Sequence, residues 1–192
     1  GGKVVISDVN AGISVLLIAA EMIGEETVEN FGQISSSRPN LIISSNRSKA
    51  LGLNSNGFPC SISIDKSWST NDILTLCMPL QNHVQPKLNG VVFERKSKII
   101  SVCLLLLRQA RLLPAGIMSI IFNVSIENIN EWANKNNLIF LEDINIQSFE
   151  KNNAERLSIS VRAKVPLAET DECEVVIFRP LDGGNEHFCL LI

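Results

Sequence analysis

Two short apolar runs near the start of the chain constrain its fold most strongly. Residues 4–6 and 13–20 are rich in valine, isoleucine and leucine, and the turn Val9-Asn10-Ala11-Gly12 separates them. Apolar runs of this length, bounded by Asn and Gly, are typical of buried strands rather than of one helix. The sequence therefore predicts an N-terminal strand pair. Between Asp8 and Glu21 there is no acid, base or histidine, so the predicted turn offers no group for acid–base chemistry.

The composition predicts a sizeable core and limits the classes of partner. The chain has 192 residues, of which 45% are hydrophobic and 19% charged, enough for one domain or one domain and part of a second. A mean hydropathy of +0.19 is high, and it predicts a buried homodimer face or a partner domain. The net charge of −3 gives no reason to expect nucleic acid or an anionic membrane surface as a partner.

The cysteine pattern and the opening residues predict a cytoplasmic protein. The five cysteines include no C-x-x-C pair, so their spacing matches neither a disulfide framework nor a zinc site. No apolar run approaches the length of about 18–20 residues that a membrane helix needs. The first residues, Gly1-Gly2-Lys3, show no signal-peptide pattern, which favours a reducing compartment.

Turn and cap signals divide residues 21–149 into short alternating helices and strands. The predicted helices cover residues 25–34, 47–51, 69–78, 101–112, 126–136 and 143–149. The predicted strands cover residues 40–44, 60–65, 90–93, 117–122 and 138–141. The helix at 101–112 is apolar on nearly every side, which predicts burial on several faces. Residues 1–150 are therefore predicted to form an α+β domain, a mixed sheet covered by helices.

The sequence after Lys151-Asn152-Asn153 changes to an antiparallel β pattern. Predicted strands at 157–164, 174–178 and 187–192 are joined in part by the hairpin turn Asp182-Gly183-Gly184. Three strands within about 40 residues are too few for an independent domain. Residues 151–192 are therefore predicted to be the beginning of a longer domain.

Several motifs, taken in order over residues 2–149, carry a resemblance to a known family. They are Gly2-Lys3-Val4-Val5, Ala19-Ala20-Glu21-Met22, the strand at 58–65, Ser69 with Asp72 and Thr75, Pro114-Ala115-Gly116, Glu131-Trp132-Ala133, and Glu142-Asp143-Ile144. In this order they resemble 3,4-dihydroxy-2-butanone 4-phosphate synthase of riboflavin biosynthesis. The tail, with Val165-Pro166-Leu167 and Gly184-Asn185-Glu186-His187-Phe188, resembles the start of GTP cyclohydrolase II, which follows the synthase in many fused chains.

The resemblance implies catalytic positions that this chain fills with other residue types. The family converts ribulose 5-phosphate to a four-carbon phosphate and formate with Mg²⁺, through an acidic turn, a histidine, the glutamate two residues after it and a later glutamate. The turn falls on Asn10, Ala11, Ile13 and Val15, the histidine on Lys98, the next glutamate on Ile100 and the later one on Ile120. Enolisation needs a base in reach, and Mg²⁺ needs carboxylate oxygens. We therefore predict no catalytic residue, no metal ligand and no cofactor, and a chain that is inactive by itself.

Four residues remain as candidates for weak contacts with phosphate or sugar. The resemblance implies this role for Ser69, Asp72, Thr75 and Arg95. The residues by themselves favour a structural role, in which Ser69 and Asp72 begin a helix and Arg95 is a surface cation.

Three functional hypotheses follow. The first is a catalytically degenerate synthase-like domain that serves as a scaffold or homodimerisation module for GTP cyclohydrolase II. The second is an active riboflavin-pathway enzyme with a relocated site, for which Glu25, Glu26 and Glu29 are the nearest acids. The third is a regulator that binds ribulose 5-phosphate or phosphate weakly.

Overall fold

A computed structural model describes most of the chain, which divides into two compact units. The described residues are 2–53, 56–78, 88, 91–93, 98–153, 157–166, 173–181 and 184–192. Arg95 and the first two residues of the predicted turn Asp182-Gly183-Gly184 lie outside them. The units are Gly1–Gln147 and Ser148–Ile192.

The larger unit alternates strands with short helices. Its strands are β1 (Lys3–Asp8), β2 (Ile13–Ala19), β3 (Asn40–Ile43), β4 (Cys60–Ser63), β5 (Val91–Phe93), β6 (Ala115–Ile120) and β7 (Ile139–Glu142). Its helices are α1 (Thr27–Ser35), α2 (Ser45–Ala50), α3 (Thr70–Cys77), α4 (Lys98–Gln109) and α5 (Ile129–Lys135). The helix α6 (Asp143–Asn153) begins in this unit and continues beyond Gln147.

The strands of the larger unit form one mixed sheet. Its order is β5-β4-β3-β6-β2-β1-β7. β1 pairs with β7 in parallel, and the other neighbouring strands pair antiparallel. The fold class predicted from the sequence, a mixed sheet covered by helices, is confirmed.

Helices cover the two faces of this sheet with separate core clusters. On the first face, which we call the α4 face, strand residues such as Ile6 and Val15 pack with α4 and with Ile146 of α6. On the opposite α1 face, Val5 and Leu16 pack with α1 and α5. The α1 face also carries a second cluster, in which residues of β3 and β4 pack with α3. Successive strand residues point to opposite faces, so the sheet separates these cores.

The helix α4 is buried on several sides, as its composition predicts. Its buried residues are Ile99, Ile100, Val102, Cys103, Leu104, Leu105 and Leu107. It begins at Lys98, about one turn before the predicted start. Because these side chains are buried within the protomer, α4 offers little apolar surface to a second subunit.

Three local predictions differ from the structure. The central strand β6 covers Ala115–Ile120 instead of 117–122, since the chain leaves the sheet after Ile121 and Phe122 is 69% exposed. The helix α2 begins at Ser45 instead of residue 47, because Ser44 caps it by accepting a hydrogen bond from the Arg47 amide. The predicted helix at 126–136 is a 3₁₀ turn followed by α5.

The smaller unit contains the predicted antiparallel strands. They are β8 (Leu157–Lys164), β9 (Glu174–Pro180) and β10 (His187–Leu191), in the order β10-β9-β8. Across both units, none of the described helices has the length and apolar character needed to span a bilayer.

The glycine of the Pro114-Ala115-Gly116 motif allows β6 to approach β2 closely. A methyl group at Gly116 would lie 2.3 Å from the Ile18 carbonyl oxygen, a backbone atom that cannot rotate away. We expect Gly116→Ala to lower the free energy of unfolding by about 3 kcal/mol, as overpacking does, when measured by urea denaturation.

The matched control is Gly24→Ala. A methyl group there would meet only the Thr27 hydroxyl oxygen, at 3.7 Å. Its effect should stay within about 1 kcal/mol. Equal effects of the two substitutions would show that the close contact between β2 and β6 is incorrect.

Candidate functional site

Two of the positions that the resemblance matches to catalytic groups are neighbours in the sheet. Val15 of β2 pairs directly with Ile120 of β6. Val15 also pairs with Ile6 of β1, which in turn pairs with Leu141 of β7. Directly paired residues share a face, so these four form one row across the α4 face. We call Leu141, Ile6, Val15 and Ile120 the apolar row.

The apolar row is part of the packed core. Ile6 and Val15 are fully buried, and Ile120 and Leu141 pack against the same cluster. Ile100, at the position matched to a further glutamate, is buried in that cluster too. These side chains have no oxygen or nitrogen atoms, so they can neither transfer a proton nor bind a cation.

Several polar side chains, among them Lys98, lie at the end of the α4 face that contains the apolar row. Lys98 Nζ donates to Asp143 Oδ2 at 2.5 Å. The Asp143 side chain is only 4% exposed, whereas that of Lys98 is 49% exposed. Gln147 donates a further hydrogen bond to Asp143 Oδ2, at 3.0 Å. The buried Asp8 accepts a hydrogen bond from the Ala11 amide, at 3.0 Å.

These contacts keep Lys98 protonated. The hydrogen bond to Asp143 raises the Lys98 pKa above its ordinary value, and the negative charges of Asp143 and Asp8 act in the same direction. A general base at neutral pH needs a pKa near 7. Lys98 is therefore an ammonium group at neutral pH, bonded to the buried Asp143 carboxylate.

The donor set around Lys98 does not fit a magnesium site. Mg²⁺ needs several oxygen ligands in octahedral geometry. The apolar row supplies none, and the Asp143 carboxylate already binds the Lys98 ammonium. Among the residues that the structure describes, no group of three or more His, Cys, Asp or Glu side chains could hold a metal ion.

The remaining candidates from the sequence lie on α3, on the α1 face. Ser69 and Asp72 form a capping box: Ser69 Oγ accepts from the Asp72 amide at 3.2 Å, and Asp72 Oδ2 accepts from the Ser69 amide at 2.8 Å. The Ser69 bonds lower the pKa of Asp72. The buried Thr75 donates its hydroxyl to the Asn71 carbonyl at 2.8 Å. These polar groups all have partners within α3 or its N-terminal cap, and Arg95 lies outside the described residues.

A large cleft opens on the α1 face, and the sequence gives no local signal for it. Its volume is about 1030 Å³. Charged residues from three separate segments line it, namely Glu25, Glu29, Arg38, Asp65 and Lys66, together with Trp68 and Ser69. They form no motif along the chain. The pairing of β3 with β4, which places Asn40 opposite Ser63, brings the segments of Arg38 and Asp65 together, and residues at the start of α1 line the same cleft.

Buried cysteines are poor nucleophiles in this protein. Burial raises the pKa of Cys60 to about 11 and that of Cys77 to about 12. A thiol with so high a pKa carries almost no reactive thiolate at neutral pH.

Several solved structures of one kind of enzyme are similar to this chain. A two-domain 3,4-dihydroxy-2-butanone 4-phosphate synthase from A. baumannii has a TM-score of 0.60 and 15% identity, covering 100% of this chain and 66% of that one. The synthase of Candida albicans also has a TM-score of 0.60, with 17% identity, covering 78% of this chain and 91% of that one. The chain has the fold of 3,4-dihydroxy-2-butanone 4-phosphate synthase. The resemblance seen in the sequence is thus confirmed at the level of fold.

A curated relative is described as a different enzyme from the solved structures. GTP cyclohydrolase-2 of Azospirillum brasilense is 23% identical over 179 residues, which are 91% of this chain and 46% of the relative. The chain therefore spans about half the length of this protein. No protein-family model matches the sequence.

The ion pair on the α4 face of the synthase fold should contribute to stability. Lys98→Met leaves the buried Asp143 carboxylate without its cation, and we expect the melting temperature at pH 7 to fall by about 5 °C. The raised Lys98 pKa means that this contribution is complete below the ordinary lysine value of 10.5 and is lost as the pH rises through the raised value. The difference between wild type and variant should thus be constant from about pH 7 to 9 and shrink above about pH 10.5.

Lys135→Met is the control, because the Lys135–Glu131 pair is exposed at both ends, 72% and 69%. Its loss should leave the melting temperature unchanged. If Lys98→Met behaves like this control, the buried carboxylate does not depend on Lys98.

Proposed function

We propose that this chain is a catalytically degenerate 3,4-dihydroxy-2-butanone 4-phosphate synthase-like domain of a riboflavin-pathway protein. In this proposal residues 1–150 act as a scaffold and dimerisation module for GTP cyclohydrolase II, whose domain begins at residues 151–192. The observation that carries the proposal is the apolar row, because valine and isoleucine occupy positions that the resemblance assigns to catalytic acids.

The chemistry of the family reaction supports an inactive domain. Enolisation next to a carbonyl requires a group that accepts a proton, and loss of one such group costs about 10²–10⁴-fold in rate. Catalytic groups that act as a unit fail together. Here Val15 and Ile120 cannot exchange protons, and Lys98 is held as an ammonium ion.

Three further observations support the scaffold role and its setting. The similarity to GTP cyclohydrolase-2 extends over 91% of this chain, and so includes most of the synthase-like part. A scaffold needs a stable core and an interface, and this core is intact on both faces of the sheet. The five cysteines are free thiols, in keeping with a reducing, cytoplasmic location.

The proposed inactivity is tested by formate release. With ribulose 5-phosphate and Mg²⁺, the purified chain should release no formate above a buffer blank, and Mg²⁺ should not raise its melting temperature. An active synthase assayed in parallel shows that the assay works. Metal-dependent turnover that persists after rigorous purification would overturn the proposal.

The second candidate is an active enzyme with a relocated site. It is favoured by one observation, that Glu25 and Glu29 line the same cleft as Ser69. These acids lie on the α1 face, away from the apolar row. If turnover were found, its loss in Glu25→Gln or Glu29→Gln would assign it to this cleft, whereas unchanged turnover would point elsewhere.

The proposed homodimer needs an exposed apolar surface, and one end of the sheet offers it. Val9 follows β1, Phe122 follows β6 and Ile144 follows β7, at the end of the sheet nearest Lys98. Their exposed fractions are 52%, 69% and 63%. Such large apolar side chains are typical of interface cores when they lie together.

We expect the chain, whose mass is 21.1 kDa, to sediment as a dimer at micromolar concentration, and Phe122→Asp to shift it to the monomer. Met22→Asp is the control, because Met22 is 53% exposed but lies at the opposite end of β2. A wild-type monomer throughout this range would remove dimerisation from the proposal.

A further inference from the structure

We propose that the cleft on the α1 face binds a phosphorylated heteroaromatic molecule of nucleotide size. This site goes beyond the proposed function, because it lies across the sheet from the apolar row and shares no residue with it. The proposal rests on three features of the cleft: an apolar floor with one indole, two cations, and two acids, none of these four charged groups being paired with a residue that the structure describes.

The floor of the cleft lies where two core clusters meet. Ile23, Val28 and Ile64 line the cleft and pack against both clusters of the α1 face. Trp68 packs against the cluster of β3, β4 and α3, and it also lines the cleft. An indole held in this way offers a surface on which a planar ring can stack.

Two cations reach the cleft from different segments. Arg38 precedes β3, and Lys66 lies between β4 and α3. Neither makes an ion pair or a side-chain hydrogen bond with any part of the chain that the structure describes. Arg and Lys side chains that line one cleft and are not engaged by the described residues are suited to a phosphate group.

Two acids also line the cleft, and they favour a ligand that has hydrogen-bond donors as well as a phosphate group. Glu25 precedes α1 and Glu29 lies in its first turn, and they too have no ion pair within the described residues. Carboxylates accept hydrogen bonds from amino and hydroxyl groups, and they repel a purely anionic ligand. In a nucleotide, the phosphate group can bind the two cations, and ring amino groups or ribose hydroxyls can donate hydrogen bonds to the two acids.

Hydrogen bonds fix the wall that carries Lys66 and Trp68. Asp65 Oδ1 accepts from the Ser67 amide at 2.9 Å and from its hydroxyl at 2.7 Å. The Trp68 amide donates to the Asp65 carbonyl at 3.1 Å. The Ser69–Asp72 capping box then fixes the start of α3. A wall fixed before binding lowers the entropy cost of ordering the site around a ligand.

Trp68 in the cleft can report ligand binding through its fluorescence. Trp68 and Trp132 are the two tryptophans of the chain, and Trp132 belongs to α5 rather than to the cleft lining. In a Trp132→Phe background, the emission therefore comes from Trp68. We expect saturable quenching by AMP and by GMP, confirmed by calorimetry, and at least about tenfold weaker binding of adenosine and of ribose 5-phosphate.

Substitutions separate this site from nonspecific binding. In the same background Arg38→Met and Lys66→Met should each weaken AMP and GMP binding about tenfold, because each removes a charge-assisted bond to phosphate. Lys135→Met, which changes a lysine outside the cleft, should leave binding unchanged. Melting curves would show that each variant folds.

Several results would overturn the proposal. These are no saturation with AMP or GMP at millimolar concentration, binding of ribose 5-phosphate as tight as that of the nucleotides, or equal weakening by Lys135→Met. The formate assay contains no nucleotide, so failure of nucleotide binding leaves the proposed inactivity standing. Detection of formate release would overturn the proposed inactivity and would leave the nucleotide titration unchanged.

Discussion

Burial of the first two strands on both faces is the constraint on which the larger unit depends. β1 and β2 form the part of the sheet between β6 and β7, and helices cover their two faces with separate clusters. Residues 5–8 and 14–19 of these strands are therefore buried on one face or the other. Any ionisable group placed there would lose its hydration and would need a partner to compensate its charge.

The Lys98–Asp143 pair shows how the fold meets that requirement where charges do occur. Asp143 is nearly inaccessible, yet it is bonded to an ammonium group and to the Gln147 amide. The next residues inward on the same face, Val15 and Ile120, carry no charge at all. At this end of the α4 face, the polar side chains of Lys98, Asp143 and Gln147 are thus hydrogen-bonded to one another.

Much of the fold follows from local patterns in the sequence. The β-branched runs at the start of the chain predict β1 and β2, and the Ser69–Asp72 spacing predicts the start of α3, because both signals act over a few residues. The end of β6 was not predictable, since Phe122 is as apolar as the residues before it and only the path of the chain exposes it. The cleft was not predictable either, because Arg38, Lys66 and Glu25 are far apart in sequence. The apolar replacement at positions 15 and 120 was visible in the sequence, but their direct pairing needed the sheet register.

The alternation of side chains across the sheet has a consequence for how this protein can change. Ser14 and Val15 are neighbours in the chain, yet they belong to opposite layers separated by the thickness of a sheet. Substitutions in different layers share few partners, so their effects on stability should add independently. One layer can then drift in sequence, and even lose an activity, while the other acquires or refines a binding surface. Substitutions could then accumulate on one side of the sheet with little effect on the residues of the other side.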